Sequence, residues 1–105
     1  MKQRESYLDQ ELSRLSQDRS VHVVHSANQN MTVSYIIVNH DTGPTVVAHT
    51  AKRNPKDNFS RRIGRLISKG RLLAGKGRRH VHIDYIPQNA EQWRALDRKV
   101  LGLFT

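Results

Sequence analysis

The chain has 105 residues, no cysteine and a formal charge of +9 at pH 7. That length suits one domain with a modest core, and the missing thiols exclude disulfides and thiolate metal sites. No apolar run approaches the ~20 residues of a membrane span, and the opening MKQRESYLDQ is polar with no signal-peptide core, so a cytoplasmic protein without a membrane partner is expected.

Taken in order, residues 2–17 read as a helix. Tyr7, Leu8, Leu12 and Leu15 give an apolar stripe at helical spacing, which can pack on the domain or on a partner. Residues 20–27, SVHVVHSA, read as a strand. Residues 32–40, TVSYIIVNH, read as a stronger one, β-branched and aromatic. Val33, Tyr35 and Ile37 face one way and Ser34, Ile36 and Val38 the other. Two largely apolar faces predict a central strand. Asp41-Thr42-Gly43-Pro44 is a turn, and residues 45–51 pair back as a hairpin.

Residues 54–79, NPKDNFSRRIGRLISKGRLLAGKGRR, read as one long basic helix and its exit. Asn54 suits the N-cap, Pro55 the first helical position, and Asp57 the first turn, where a carboxylate favours the dipole. Gly75 suits the residue just past the end, and Gly77 reinforces the stop. At 100° per residue, Phe59, Ile63, Leu66, Ile67, Leu73 and Ala74 share one arc, predicted to face the core, with Gly70 in its middle. A mid-helix Gly costs about 1 kcal/mol relative to Ala, so close approach to a sheet is expected at Gly70.

Residues 79–86, RHVHIDYI, alternate as a strand, with Val81, Ile83 and Tyr85 on one face and His80, His82 and Asp84 on the other. Pro87 ends it. Asn89 with Gln92 serves as a helix start. The last helix runs from about Ala90 to Leu101, with Trp93, Leu96, Val100 and Phe104 on one face. The order is α-β-β-β-α-β-α. The predicted class is α+β, one domain over residues 1–105, with a small mixed sheet packed by the long basic helix. Three meandering strands, a helix and a fourth strand also begin the RNase H-like topology. Its chemistry needs acidic residues around a metal, and the first strand here has none.

The charge is unevenly placed. Residues 52–79 hold eleven of the eighteen Lys and Arg and one acid, Asp57. The rest holds seven bases against eight acids. A localised basic surface is the footprint of a nucleic-acid binder. Arg61, Arg65 and Lys69, at i, i+4 and i+8, form a ridge whose like charges repel. An anionic partner is expected there. The predicted phosphate contacts are Arg61, Arg62, Arg65, Lys69, Arg71, Lys76, Arg78 and Arg79. Tyr35 and Tyr85 are the aromatic residues left over as stacking platforms; Tyr7, Phe59, Trp93 and Phe104 are read as packing.

Other chemistries are poorly supplied. His80, His82 and Asp84 share a strand face, yet i, i+2, i+4 spreads them over ~13 Å. A metal site would need His49 or His22 from a neighbouring strand. No serine sits in a nucleophile elbow, carboxylates are not paired, and Gly64 to Gly70 lacks the Lys-Ser/Thr of a phosphate-binding loop. No catalysis, cofactor or metal is expected.

Residues 56–71, KDNFSRRIGRLISKGR, resemble a pattern in small proteins of bacteriophages and other mobile elements, where an Asp-x-Phe-x-Arg-x-x-Gly-Arg run follows a β-hairpin. The matching residues are Asp57, Phe59, Arg61, Gly64, Arg65, Gly70 and Arg71. The resemblance implies a bacterial or infected host cell. It also implies an alternative to direct nucleic-acid binding: inhibition of a host nucleic-acid enzyme or defence complex, of the anti-CRISPR type. DNA against RNA, sequence preference, the protein target, metal binding by the histidines and the oligomeric state stay open, including a homodimer through the first helix or the VLGLF tail.

Overall fold

The computed structural model describes residues 2–26, 28–52 and 61–105; Asn54, Pro55, Asp57 and Phe59, the expected start of the basic helix, lie outside them. The elements are α1 (Lys2–Leu15), β1 (His22–Ser26), β2 (Met31–His40), β3 (Gly43–Lys52), α2 (Arg61–Ala74), β4 (Arg79–His82) and α3 (Ala90–Gly102). The class is α+β, in the order read from the sequence.

The four strands lie in the order β1-β2-β3-β4. Every pairing is antiparallel, so the expected mixed sheet is corrected to a plain meander. Although α2 separates β3 from β4, β4 turns back beside β3, with Thr45 opposite His82 and Ala48 opposite Arg79. Among the described residues no parallel crossover forms in the sheet.

The strand alternation sorts the core. Met31, Val33, Tyr35 and Ile37 of β2 point to one face and, with Val46 and Ala48 of β3, pack against Leu96 and Val100 of α3. Ile36 and Val47 point to the other face and meet Leu12 of α1 and Leu72 of α2. The sheet is therefore a middle layer, with α3 on one side and α1 and α2 on the other. β2 is interior and buried on both faces from Met31 to Ile37, as its two apolar faces predict.

Two helical stripes turn out differently. On α1, Leu8 and Leu12 are buried while Tyr7 and Leu15 are exposed. On α2, the buried residues are Gly64, Ser68, Lys69 and Leu72, whereas Ile63 and Ile67 are 39% and 41% exposed. So α2 lays Gly64, Ser68 and Leu72 on the sheet; of the expected arc, Leu73 packs against that core while Ile63 and Ile67 face outward. A Cβ on Gly64 would stand 2.8 Å from Thr32 Cβ and closer still to its hydroxyl, whereas one on Gly70 would meet nothing within 4 Å. The close approach is real, but it occurs at Gly64 and not at Gly70. Beside it, the Ser68 and Ser34 hydroxyls are hydrogen-bonded at 2.6 Å, which satisfies two buried polar groups where helix meets sheet.

The exits follow the sequence. Gly75 and Gly77 have φ of +90° and +75°, and Gly75 N–H donates to the Arg71 carbonyl, closing the helix. At α3 the Gln92 N–H donates to Asn89 Oδ1 at 2.9 Å, the expected cap. Gln92's own side-chain oxygen accepts instead from Gln88 N–H.

Candidate nucleic-acid interface

The ridge of α2 is the first feature the fold rearranges. Lys69 Nζ lies 3.0 Å from Glu5 Oε1 and 2.7 Å from Asp9 Oδ1. Arg65 Nε donates to the same Glu5 oxygen at 3.1 Å. Glu5 and Asp9 are one turn apart on α1, and Arg65 and Lys69 are one turn apart on α2, so the two helices present matching pairs. The Lys69 side chain is only 7% exposed. The ridge thus meets anions within the chain: Arg65 and Lys69 are paired to α1, and Arg61 stays on the surface. Burial raises the Glu5 carboxyl, but the hydrogen bonds from Lys69 and Arg65 and their charges outweigh it and hold it below the usual range.

The other candidate cations form two groups. Arg61 and Arg62 are exposed at the start of α2. Arg71, Lys76 and Arg79 are exposed at its far end and on β4. At 1.5 Å per residue, Arg62 and Arg71 are separated by about 13 Å along the axis. Arg71 Nη1 donates to the Thr50 carbonyl at 3.0 Å, which fixes that side chain against β3. The Arg78 guanidinium packs over Gly75 and is partly buried, its Nε without a hydrogen-bond partner among the described residues. Arg61, Arg62, Lys76 and Arg79 form no ion pair with a described carboxylate.

The aromatic and histidine expectations divide. Tyr35 cannot be a stacking platform: it is fully buried, its hydroxyl donates to Asp97 Oδ1 at 2.6 Å, and burial with that bond raises its pKa. Tyr85 is 57% exposed, and so is Tyr7, at 56%, against the expectation that it packs. Trp93 and Phe104 pack against the α3-side core as expected. His22 is stacked between Tyr35 and Trp93 on the α3 side, while His49 Nε2 meets the Lys76 carbonyl at 2.7 Å. His80 and His82 are exposed on β4. Among the described residues no group of three His, Asp or Glu could hold a metal ion, and no helix is long and apolar enough to cross a membrane.

The feature missed from sequence is His25. Its Nδ1 is 2.9 Å from the Thr32 hydroxyl, beneath the start of α2. Burial lowers its pKa, and the charges of Arg61 and Arg65 lower it further. The signal available was its register position opposite Thr32 in a hairpin.

No family model, no curated protein and no solved structure matches this chain.

The titrations of Glu5, Asp18 and His25 share one sign. Asp18 is raised by burial but held low by hydrogen bonds from Ser16, His22 and the Ser20 backbone. A carboxylate lowered in the folded state stabilises above its ordinary pKa and loses that contribution as pH falls through the folded value. A histidine lowered in the folded state also loses stability on acidification, from 6.5 downward, because the unfolded chain takes up the proton first. Stability is therefore expected to fall in two stages as pH drops. The first starts near 6.5 and reflects His25; the second lies below 4.5 and 3.8, the ordinary values of Glu5 and Asp18. Urea midpoints measured across pH check this, and His25→Asn should lose the upper stage. An upper stage unchanged in that variant would remove His25 as its cause.

Proposed function

We propose that this protein is a non-catalytic nucleic-acid-binding protein, with phosphates held by Arg61 and Arg62 at one end of α2 and by Arg71, Lys76 and Arg79 at the other. The supporting observation is that these five side chains are all exposed, within the stretch that carries most of the chain's positive charge. Lys69 is buried against α1 and stands behind the contact surface; Arg65 is paired to Glu5 with its side chain still 36% exposed, and half-buried Arg78 braces the turn after α2. Two cationic groups, one at the start of α2 and one at its far end and on β4, can engage separated phosphates of one strand, and each neutralised phosphate releases counterions, which makes affinity salt-dependent.

The test measures binding of the full chain to labelled duplex DNA, single-stranded DNA and structured RNA, at low and near-physiological salt. Submicromolar binding that persists at physiological salt is expected for one class. Changing the five cations together to Gln should lower affinity by at least about 100-fold and reduce the salt slope by roughly one for each phosphate no longer neutralised. An unchanged slope, or binding at low salt only, overturns the proposal.

One observation favours a second reading, a protein-binding inhibitor of phage or mobile-element origin directed at a host nucleic-acid enzyme or defence complex. The outward face of α2 carries Ile63 and Ile67, each about 40% exposed, in line with Gly70 and Ala74 and flanked by Arg62 and Arg71. Phosphate contact has no use for exposed isoleucines, whereas an apolar strip with a basic rim suits an acidic protein surface. Such an inhibitor needs its protein target and would not retain bare nucleic acid at physiological salt.

A further inference from the structure

Beyond β4 the chain forms a recess, apart from the cations of α2. Residues 83–89 run back to α3, and between that segment and the helix lies a cleft of about 210 Å³. Its floor is apolar, from Ile83 and Leu96, both buried. Its walls carry Tyr85, Asp84, Gln92 and Lys99. The size is below the ~300–1,000 Å³ of sites for drug-sized ligands, so it offers room for one flat ring and not for a large molecule.

The segment is well anchored. Ile83 N–H donates to the Pro44 carbonyl at 3.0 Å. Gln88 N–H donates to Gln92 Oε1 at 2.8 Å, and Gln88 Nε2 donates to the Ile86 carbonyl at 3.1 Å. Because the Gln92 oxygen is taken, its amide group offers N–H donors. The Asp84 carboxylate offers acceptors. Tyr85 is 57% exposed, with no buried role to explain it. Lys99 adds a cation on the α3 side of the recess.

An exposed aromatic ring, an apolar floor, the Gln92 donors, the Asp84 acceptors, the His82 ring nitrogens and the Lys99 cation suit a flat, hydrogen-bonding ring that carries an anion. A nucleobase has flat apolar faces, donors and acceptors on its edge, and a phosphate attached through its sugar. In a duplex those faces and edges are covered, so only an unpaired nucleotide can enter. We propose that this cleft binds one unstacked nucleotide of a single strand. Tyr85 stacks on the base, Asp84 accepts from its amino group, Gln92 donates to its ring or carbonyl acceptors, and Lys99 holds the phosphate. The proposal deepens the nucleic-acid reading and rests on it for the polymer. It makes single strands the preferred class: α2 supplies charge without choosing a form, and the cleft supplies the choice.

Two measurements on the full chain test it. In the first, labelled single-stranded RNA and a duplex of equal length are titrated with the parent, Tyr85→Ala and Tyr85→Phe. Loss of one base stack should weaken Tyr85→Ala on the single strand about 5- to 150-fold. Duplex binding should be unchanged, and Tyr85→Phe should bind as the parent does. The exposure of Tyr85 makes a folded variant the expected product, which a thermal melt confirms. In the second, a 15N-labelled chain is titrated with cytidine and adenosine monophosphates. Amide shifts are expected at Tyr85, Gln92 and Lys99, and they should vanish in Tyr85→Ala. A single-strand affinity unaffected by Tyr85→Ala, or mononucleotides that leave the cleft amides unmoved, overturns the proposal. Failure of every polymer at physiological salt, with the mononucleotide shifts intact, rejects the reading for α2 and leaves the cleft as a nucleotide site.

Discussion

Replacing Lys69 with Met is expected to destabilise the fold by about 2 kcal/mol. The substitution keeps most of the buried stem and removes only the ammonium. That ammonium is the shared partner of Glu5 and Asp9. Breaking a fully buried pair costs about 3–5 kcal/mol, because the remaining charge stays buried and uncompensated. Here the cost is smaller for two reasons. Arg65 still serves Glu5, and the Glu5 and Asp9 side chains are 23% and 44% exposed, so both can turn toward water. For a domain near 100 residues, 2 kcal/mol lowers the melting temperature by roughly 8–16 °C. Adding Glu5→Gln and Asp9→Asn should recover most of the loss, since those charges then need no partner. A Lys69→Met protein melting with the parent would show that the contact between α1 and α2 does not depend on this charge.

Gly64→Ala should be comparably damaging, by about 2–3 kcal/mol, although Ala is the better helix former. The gain in propensity is at most about 1 kcal/mol. Against it, the added methyl would stand 2.8 Å from Thr32 Cβ and closer still to its hydroxyl. Thr32 is buried and β-branched, and its hydroxyl pairs with His25 Nδ1, so it cannot swing aside. Relief requires moving α2 away from the sheet, which also loosens Ser68 from Ser34 and Leu72 from Ile36 and Val47. Gly70→Ala is the internal control. Its Cβ meets nothing within 4 Å, so it should stabilise by about 0.5–1 kcal/mol through propensity alone. Denaturant unfolding of both variants decides the matter. Equal effects would mean that helix-to-sheet distance is not set at Gly64.

These two glycines also show where the sequence was readable. β1, β2 and β3 were legible because alternation and β-branching report burial directly: β2 is apolar on both faces and lies inside the sheet, whereas β4 stops at His82, short of the expected 79–86. The start of α3 was legible because a cap is a local device, and Asn89 performs it. The packing face of α2 was not. Its bulky arc, Ile63 and Ile67, outweighs Gly64, Ser68 and Leu72 on any hydropathy count, yet small residues let a helix backbone approach a sheet most closely. The direction of β4 was equally hidden, since a strand reads the same parallel or antiparallel. Within the candidate site, the clustering of cations was plain from composition, but their division was not. Glu5 and Asp9 one turn apart, opposite Arg65 and Lys69 one turn apart, were a usable sign that the ridge had an internal partner. It joins segments about 60 residues apart in the chain, so no local pattern connects them.

The meander has a kinetic side as well. β2 and β3 are joined through Asp41 and Thr42 and pair over ten residues, from His40 opposite Gly43 to Met31 opposite Lys52. β1 joins through a similarly short turn. Closing such short loops costs little chain entropy, and the cost rises only slowly with length. Most of the sheet can therefore form from neighbours in sequence, in the microseconds that hairpins take. Only β4, with four residues on an edge, must wait for α2 to bring it back. A sheet whose first three strands pair with their neighbours in sequence favours fast formation over slow assembly of distant strands, while the packing of α1 and α3 joins segments about 60 residues apart.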